Sequence, residues 1–413
     1  MKVTGIIAEY NPFHNGHKYQ IDYIKNKTSA DYVIVAMSSD YVQRGTPAIF
    51  SKHTRAKMAL LNGADLVIEL PVSVSTSSAE FFCSGGVSLL DRLGVVDTLC
   101  FGSEIGELTI IKKIAAILSE EPDKYRALLK KYLSNGLPFP QARSHALTEY
   151  CNLPYLEKIL NSPNNILAIE YCKALIQQHS SINPVTIKRK GMGYNDTLSD
   201  LSLSSPTDEP ASASAIREII YKPNALCNLN ILDSFMPKNI CTLAKSILNN
   251  HAYATPGMFD QILIYALMKS DLSDLTKYLD VSHELARRII NTRNNITGFN
   301  QAVTLLKTKE LTQTRIQRAL LHIILGIQDV PTQMPYARVL GFKKESSALL
   351  KSIKQNASIP LITKLASAQN ILSQKEKQLL DETVFSSNLY EKLISVNFGQ
   401  PFVHEFQKRI III

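Results

Sequence analysis

The sequence predicts an α/β protein in which a Rossmann-like parallel-sheet domain, residues 1–220, is followed by a mostly α-helical C-terminal domain, residues 221–413. Three observations predict it. Short apolar runs alternate with helical patterns through the first 220 residues, β-rich runs become scarce beyond that point, and the charge divides at the same place. Residues 1–220 carry 22 Lys and Arg against 22 Asp and Glu, whereas residues 221–413 carry 23 against 14, so the whole excess, 23 − 14 = +9, lies in the second half. An excess confined to one domain points to a polyanionic partner for that domain, the alternative being a solvated surface.

Val3 to Ala8, Tyr32 to Met37, Leu66 to Leu70, Thr98 to Phe101 and Val185 to Ile187 read as strands, most of them continuous apolar runs of the kind buried on both faces. Between them lie helical patterns near His17 to Lys27, Thr54 to Asn62, Ser77 to Leu93 and Asn165 to Gln178. In such sheets ligands bind beyond the carboxyl ends of the strands, so the residues following each strand are the first candidates for chemistry. Helical periodicity then takes over at Phe259 to Lys269, Glu284 to Asn291, Thr314 to Leu325 and Lys344 to Gln355. The polar stretch Ser199 to Ser214 is expected to be a loop at the site.

A chain of 413 residues exceeds what one core usually organises, and 45% apolar with 20% charged residues is ordinary for a soluble protein. No apolar run approaches the roughly 20 residues that span a bilayer, and MKVTGIIAEY runs straight into a strand pattern, so a cytoplasmic protein with no membrane partner is expected. The run Ile410 to Ile413 is expected to tuck against the helical half. Six cysteines without a CxxC pair read as buried thiols in a reducing compartment, with neither a disulfide framework nor a zinc site.

Directly after the first strand stands Glu9-Tyr10-Asn11-Pro12-Phe13-His14-Asn15-Gly16-His17. Pro12 stops the strand, Gly16 permits close approach of backbone to ligand, and His17 is expected to open a helix whose free N–H groups attract anions. Two imidazoles three residues apart can both donate to phosphate oxygens, which suits charge building on a nucleotide's α-phosphate as pyrophosphate departs. After the last strand comes Ser212-Ala213-Ser214-Ala215-Ile216-Arg217, a small-residue turn into a helix. Its hydroxyls and amides suit the β- and γ-phosphates, with Arg217 one turn further on. Taken alone, that turn reads first as an ordinary Ser N-cap; its place after the last strand, paired with HNGH after the first, is what points to phosphate.

The HxGH and Ser-x-Ser-x-Ile-Arg strings resemble the signatures of the HIGH-type nucleotidyltransferase superfamily. The longer strings GIIAEYNPFHNGH, SKHTRAKMALLNGADLVIELP, FCSGGVSLL, FGSE, SPNNILAIEYCKAL, IKRKGMGYND and SASAIR resemble the tRNA(Met) cytidine acetate ligase family, and the likeness continues through LTQTRIQRALLHIILGI and PYARVLGF. It therefore covers essentially the whole chain. The resemblance implies an enzyme that uses ATP, with Mg²⁺, and acetate to form acetyl-adenylate, and that passes the acetyl group to N4 of the wobble cytidine of elongator tRNA(Met). It further implies an ATP site comprising Ile7, Ala8, Glu9, Tyr10, Asn11, Pro12, Phe13, His14, Asn15, Gly16, His17, Lys18, Tyr19 and Gln20. Gly102, where the nucleotide would lie close to backbone, Asn164, Arg189 and Lys190 complete that implied site. One departure stands at Gly191-Met192-Gly193-Tyr194-Asn195, where the family tends to have a small residue and a His, and this puts a role for Asn195 in doubt.

Acetate is itself the nucleophile in such a reaction, so no activated Ser or Cys is required. His14 and His17 are the candidates for the α-phosphate and Ser214 with Arg217 for pyrophosphate. Lys18 or Lys52 could help or be solvated side chains, and no carboxylate cluster marks a dedicated metal site, Glu104 being the one possibility. In the second half the basic stretch from Arg287 to Arg318 nominates Arg287, Arg288, Arg293, Arg315 and Arg318 for RNA. Arg315, Arg318 and His322 are expected on one helix face, opposite a core stripe of Ile316, Leu320, Ile323 and Ile324. Two other readings remain at this stage. An adenylyltransferase or ligase for a small metabolite leaves the basic half unexplained, and a non-catalytic nucleotide-responsive RNA binder leaves HNGH and SASAIR unexplained.

Overall fold

The structure is a computed structural model, and it describes residues 1–152, 156–189, 212–222 and 225–413. Strands β1 (Val3–Ala8), β2 (Tyr32–Ser38), β5 (Leu66–Leu70), β6 (Thr98–Ser103) and β7 (Asn183–Lys188) fall where the apolar runs predicted them. They form a parallel array in the order β5-β2-β1-β6-β7. Two short strands, β3 (Tyr41–Val42) and β4 (Thr46–Pro47), make a separate antiparallel hairpin. Because the sheet grows one way from β1 to β2 and the other way to β6, its switch point lies between β1 and β6, where the carboxyl ends open a crevice.

The strands are apolar on both faces because both are covered. Ile34 and Ala36 face a core shared with Leu90 and Ile114, while Val33, Val35 and Met37 face a second core with Ile21 and Ala56. The helices Asn15–Lys27 (α1) and Lys52–Leu61 (α2) bear on the second, and the Ala79–Arg92 and Pro163–Gln177 helices on the first. A third core unites the helices of the second half, among them Asp260–Lys269, His283–Thr292 and Gln313–Leu325.

The chain returns to the sheet late. Strand β8 (Ala337–Phe342) pairs antiparallel with β5, and β9 (Leu361–Ile362) and β10 (Ile411–Ile412) pair parallel with β8. The Ile410–Ile413 run therefore does not tuck against the helical half. It zips onto the sheet edge, with Ile411 and Ile413 against the core of the first half, because an apolar β-branched run satisfies its backbone best as a strand. Of the cysteines, Cys83, Cys100, Cys172 and Cys241 are buried and Cys151 is half-buried, all as free thiols.

Candidate active site

The first helix starts two residues earlier than the pattern suggested, and the reason lies in the histidines themselves. His14 is the N-cap of α1: its Nδ1 accepts the Gly16 N–H at 3.0 Å, and the His17 Nδ1 reaches back to accept the His14 N–H at 3.2 Å. This reciprocal box satisfies two amides that a helix start leaves open. It also stacks the two rings with centroids 3.8 Å apart, and Tyr10 and Phe13 pack their rings on His17 at 4.7 and 5.6 Å. With both Nδ1 atoms accepting, each neutral ring carries its hydrogen on Nε2, so both present an N–H donor away from the backbone. Burial, then Arg189 and Arg217, hold the His14 pKa down at about 3; burial, His14 and Arg189 hold that of His17 well below the ordinary imidazole value. Both are neutral donors at physiological pH.

The flanking groups converge as the motifs predicted. Ser212 caps the Ala213–Tyr221 helix by accepting the Ala215 N–H at 3.3 Å. One turn on, Arg217 donates to the Asn11 carbonyl at 2.8 Å and to the Ser214 hydroxyl at 3.1 Å, tying this helix to the loop after β1. On the other side, Asn164 donates to Glu104 at 2.6 Å and faces the Arg189 guanidinium at 3.5 Å. Both Glu104 oxygens accept hydrogen bonds, the second from the Asn165 N–H at 2.8 Å, so this carboxylate holds the start of the Pro163–Gln177 helix. Gly102 lies under Arg189: a Cβ there would sit 3.2 Å from the Arg189 Cγ.

Within the implied ATP stretch, Ile7 and Ala8 end β1, and Glu9 accepts the Gln43 N–H at 2.8 Å. Tyr10 is buried at φ 48°, Asn11 accepts the Ile49 N–H at 2.9 Å, and Asn15 donates to Phe235 and Ser234 carbonyls. Gln20 faces away, donating to the Cys100 carbonyl at 3.0 Å, and Lys18 pairs with Asp22 one turn along while Tyr19 is exposed. Lys52 is neither a phosphate helper nor solvated. It is fully buried, 2.6 Å from Glu69 and 2.9 Å from Glu405. Lys190, Asn195 and the 199–211 part of the expected loop lie outside the described residues.

The basic face expected on the Gln313–Leu325 helix does not face outward as a unit. Arg318 donates to Asp280 at 2.7 Å, and His322 is buried between the Leu279 carbonyl and the Thr76 hydroxyl. Arg288 donates to the Leu305 carbonyl and Arg293 to those of Leu267 and Ser270, whereas Arg287 is exposed and Arg315 half-buried. Sequence reasoning missed Arg44, on the β3–β4 turn, which interacts electrostatically with Arg217 and Glu9. Its position just beyond the carboxyl end of β2 was the signal that could have found it.

Paired neutral donors at a helix start, flanked by guanidiniums and a second helix N-terminus at the switch point of a parallel sheet, have the chemistry that nucleotide activation calls for. The family model described as HIGH Nucleotidyl Transferase matches residues 1–401, and the chain belongs to that family. More narrowly, it belongs with the tRNA(Met) cytidine acetate ligases. It is 41% identical over 405 residues to one so named from Clostridium perfringens, covering 95% of this chain and 96% of that one. To the one from Acetivibrio thermocellus it is 38% identical, with 100% of both chains covered. The crystal structure of Thermotoga maritima TmcAL bound with alpha-thio ATP superposes with a TM-score of 0.88 at 27% identity, covering 100% of this chain and 99% of that one; its apo form superposes at 0.91. The chain is an ATP-dependent ligase of this family.

Proposed function

We propose that the chain activates acetate with ATP and transfers the acetyl group to N4 of the wobble cytidine of elongator tRNA(Met), in the cytoplasm, where its free buried thiols are at home. The observation that carries the proposal is the His14–His17 box, whose Nδ1 atoms are both committed to backbone amides, leaving two uncharged Nε2–H donors under the influence of Arg189 and Arg217. A carboxylate oxygen of acetate attacks the α-phosphorus, the bond to the bridging oxygen breaks, and pyrophosphate leaves with the electron pair. The imidazoles stabilise the charge on the α-phosphate oxygens, and Ser214 with Arg217 that on the leaving group. The cytidine amine then attacks the acetyl carbon, AMP departs, and the amine proton passes to solvent.

Among the described residues no group of three or more His, Cys, Asp or Glu side chains is arranged to hold a metal ion. Mg²⁺ is proposed to arrive on the triphosphate, neutralising its charge. No helix among those described is long and apolar enough to cross a membrane. For the RNA, Arg287 and Arg315 are proposed as phosphate contacts, with Arg288, Arg293 and Arg318 supporting the surface from beneath, so that the division of labour falls near residue 220. The test is mass analysis of tRNA(Met) after incubation with ATP and labelled acetate. One acetyl group on the wobble cytidine supports the reading; pyrophosphate release with unmodified RNA replaces it with a small-metabolite ligase.

A further inference from the structure

The turn of the β3–β4 hairpin is held from both sides. Gln43 donates its N–H to Glu9 at 2.8 Å, fixing the turn to the loop that carries the histidines. Gly45, at φ +73°, is pressed so closely on the Gln313–Leu325 helix that a Cβ would lie 2.3 Å from the Arg318 nitrogen. The Gly45 N–H closes the turn on the Val42 carbonyl at 2.8 Å. Arg44 stands between these two anchors, so its backbone is fixed before any ligand arrives.

Its charge environment is that of an anion site. Arg44 is partly buried, Arg217 repels it, and Glu9 attracts both guanidiniums. Arg217 is already tied to Ser214 at a helix N-terminus. Two like charges held together over one carboxylate gain most from a ligand bearing several negative charges. Gln43 is bound to Glu9 and Arg217 to the Asn11 carbonyl two residues on, so Arg44 and Arg217 border the same loop that carries the histidines. Because Ser214 and Arg217 are the candidates for the leaving pyrophosphate, a second guanidinium bordering the same loop as Arg217 is assigned to that end of the triphosphate.

We propose that Arg44 is a further catalytic residue, which grips the β- and γ-phosphates of ATP alongside Arg217 and stabilises the pyrophosphate as it leaves. The proposal rests on ATP occupying this crevice, and its test is independent of acetate and RNA. Calorimetry of Arg44→Gln should show ATP affinity falling about tenfold or more, as expected for a lost charge-assisted contact, with AMP affinity within about twofold of the parent. Arg44→Lys, which keeps the charge, should recover part of the loss and serves in its place if the glutamine variant does not fold. In acetate-dependent ATP–pyrophosphate exchange the KM for pyrophosphate should rise, while tRNA affinity stays within about twofold. Equal losses for ATP and AMP would make Arg44 a structural partner of Glu9 and overturn the proposal. So would unchanged ATP affinity, with or without a loss of tRNA binding. A failure of the proposed acetate chemistry would leave the ATP against AMP comparison standing.

Discussion

The ammonium of Lys52 lies 2.9 Å from the carboxylate of Glu405, and both side chains are fully buried. Glu69 at 2.6 Å and the Ser387 hydroxyl at 2.7 Å complete the lysine's shell, and Arg338 donates to both Glu69 and Glu405 at 2.7 and 2.5 Å. Burial would push the Glu405 carboxyl up; Lys52, His53 and Arg338 reverse this and hold it well below the usual carboxylate range. The network thus welds α2 and β5 to β8 and to the Gln374–Phe398 helix.

Lys52→Met should therefore act on stability and not on chemistry. Removing one partner of a buried ion cluster strands the other charges, at a cost of about 3–5 kcal/mol in denaturant melts. The KM for ATP of the folded fraction should stay at the parent value. A raised KM with unchanged melting would return Lys52 to the active site.

The histidines cap their helix and are proposed to hold the α-phosphate, and a substitution can separate the two roles. His14→Ala loses both the cap, worth about 1 kcal/mol, and the donor. His14→Asn keeps a capping side chain while losing the reach of Nε2. Adenylate formation by the asparagine variant should fall about 10²–10³-fold, the usual loss for one such donor, with the melting temperature preserved. Pyrophosphate release at the parent rate would remove His14 from the chemistry.

Proton linkage offers a third check. The free-enzyme His14 pKa near 3 lies below the ordinary imidazole value of about 6.5. In the unfolded chain the ring takes its proton first, so the stability its neutral burial contributes is complete above about pH 6.5 and is lost as pH falls toward 3. A bound triphosphate favours the charged ring and raises its pKa, so ATP binding should take up more protons at pH 6 than at pH 8. Titration in buffers of different ionisation enthalpy measures the difference. An equal proton count at both pH values in the parent, or the same uptake in His14→Asn, would refute the assignment.

Arg315 and Arg318 are one turn apart yet should behave differently. Arg287→Ala with Arg315→Ala should weaken tRNA binding and lower the slope of log K against log salt by about 2. Arg318→Ala, which leaves the partly buried Asp280 without its guanidinium, should cost about 1–3 kcal/mol of stability and leave that slope alone. The reverse pattern would place the RNA on the Asp280 side.

What the sequence disclosed was local. Strands β1 and β5 are legible to the residue because each is one apolar run between turn signals, and the HNGH helix start is legible because its spacing and its place after β1 single it out. The partners of Lys52 and Arg318 were not legible, since nothing near either lysine or arginine in sequence announces Glu405 or Asp280. Strand β8 was hidden for a related reason: six residues following a long helical region acquire their meaning from the edge of β5, far upstream. Arg44 belongs to no phosphate-binding signature, and only the seat of Gly45 on a distant helix reveals how firmly it is placed.

The pairing of β8 with β5 bears on any attempt to dissect the enzyme. A fragment ending at residue 220 would carry β5 with its outer hydrogen-bonding edge bare and Leu66, Val67, Ile68 and Leu70 beside it, each fully enclosed in the intact chain. Such an edge invites the strand of another molecule. The activating half is thus not a self-contained cassette, and a soluble minimal version would have to import residues 337–342 by fusion or circular permutation.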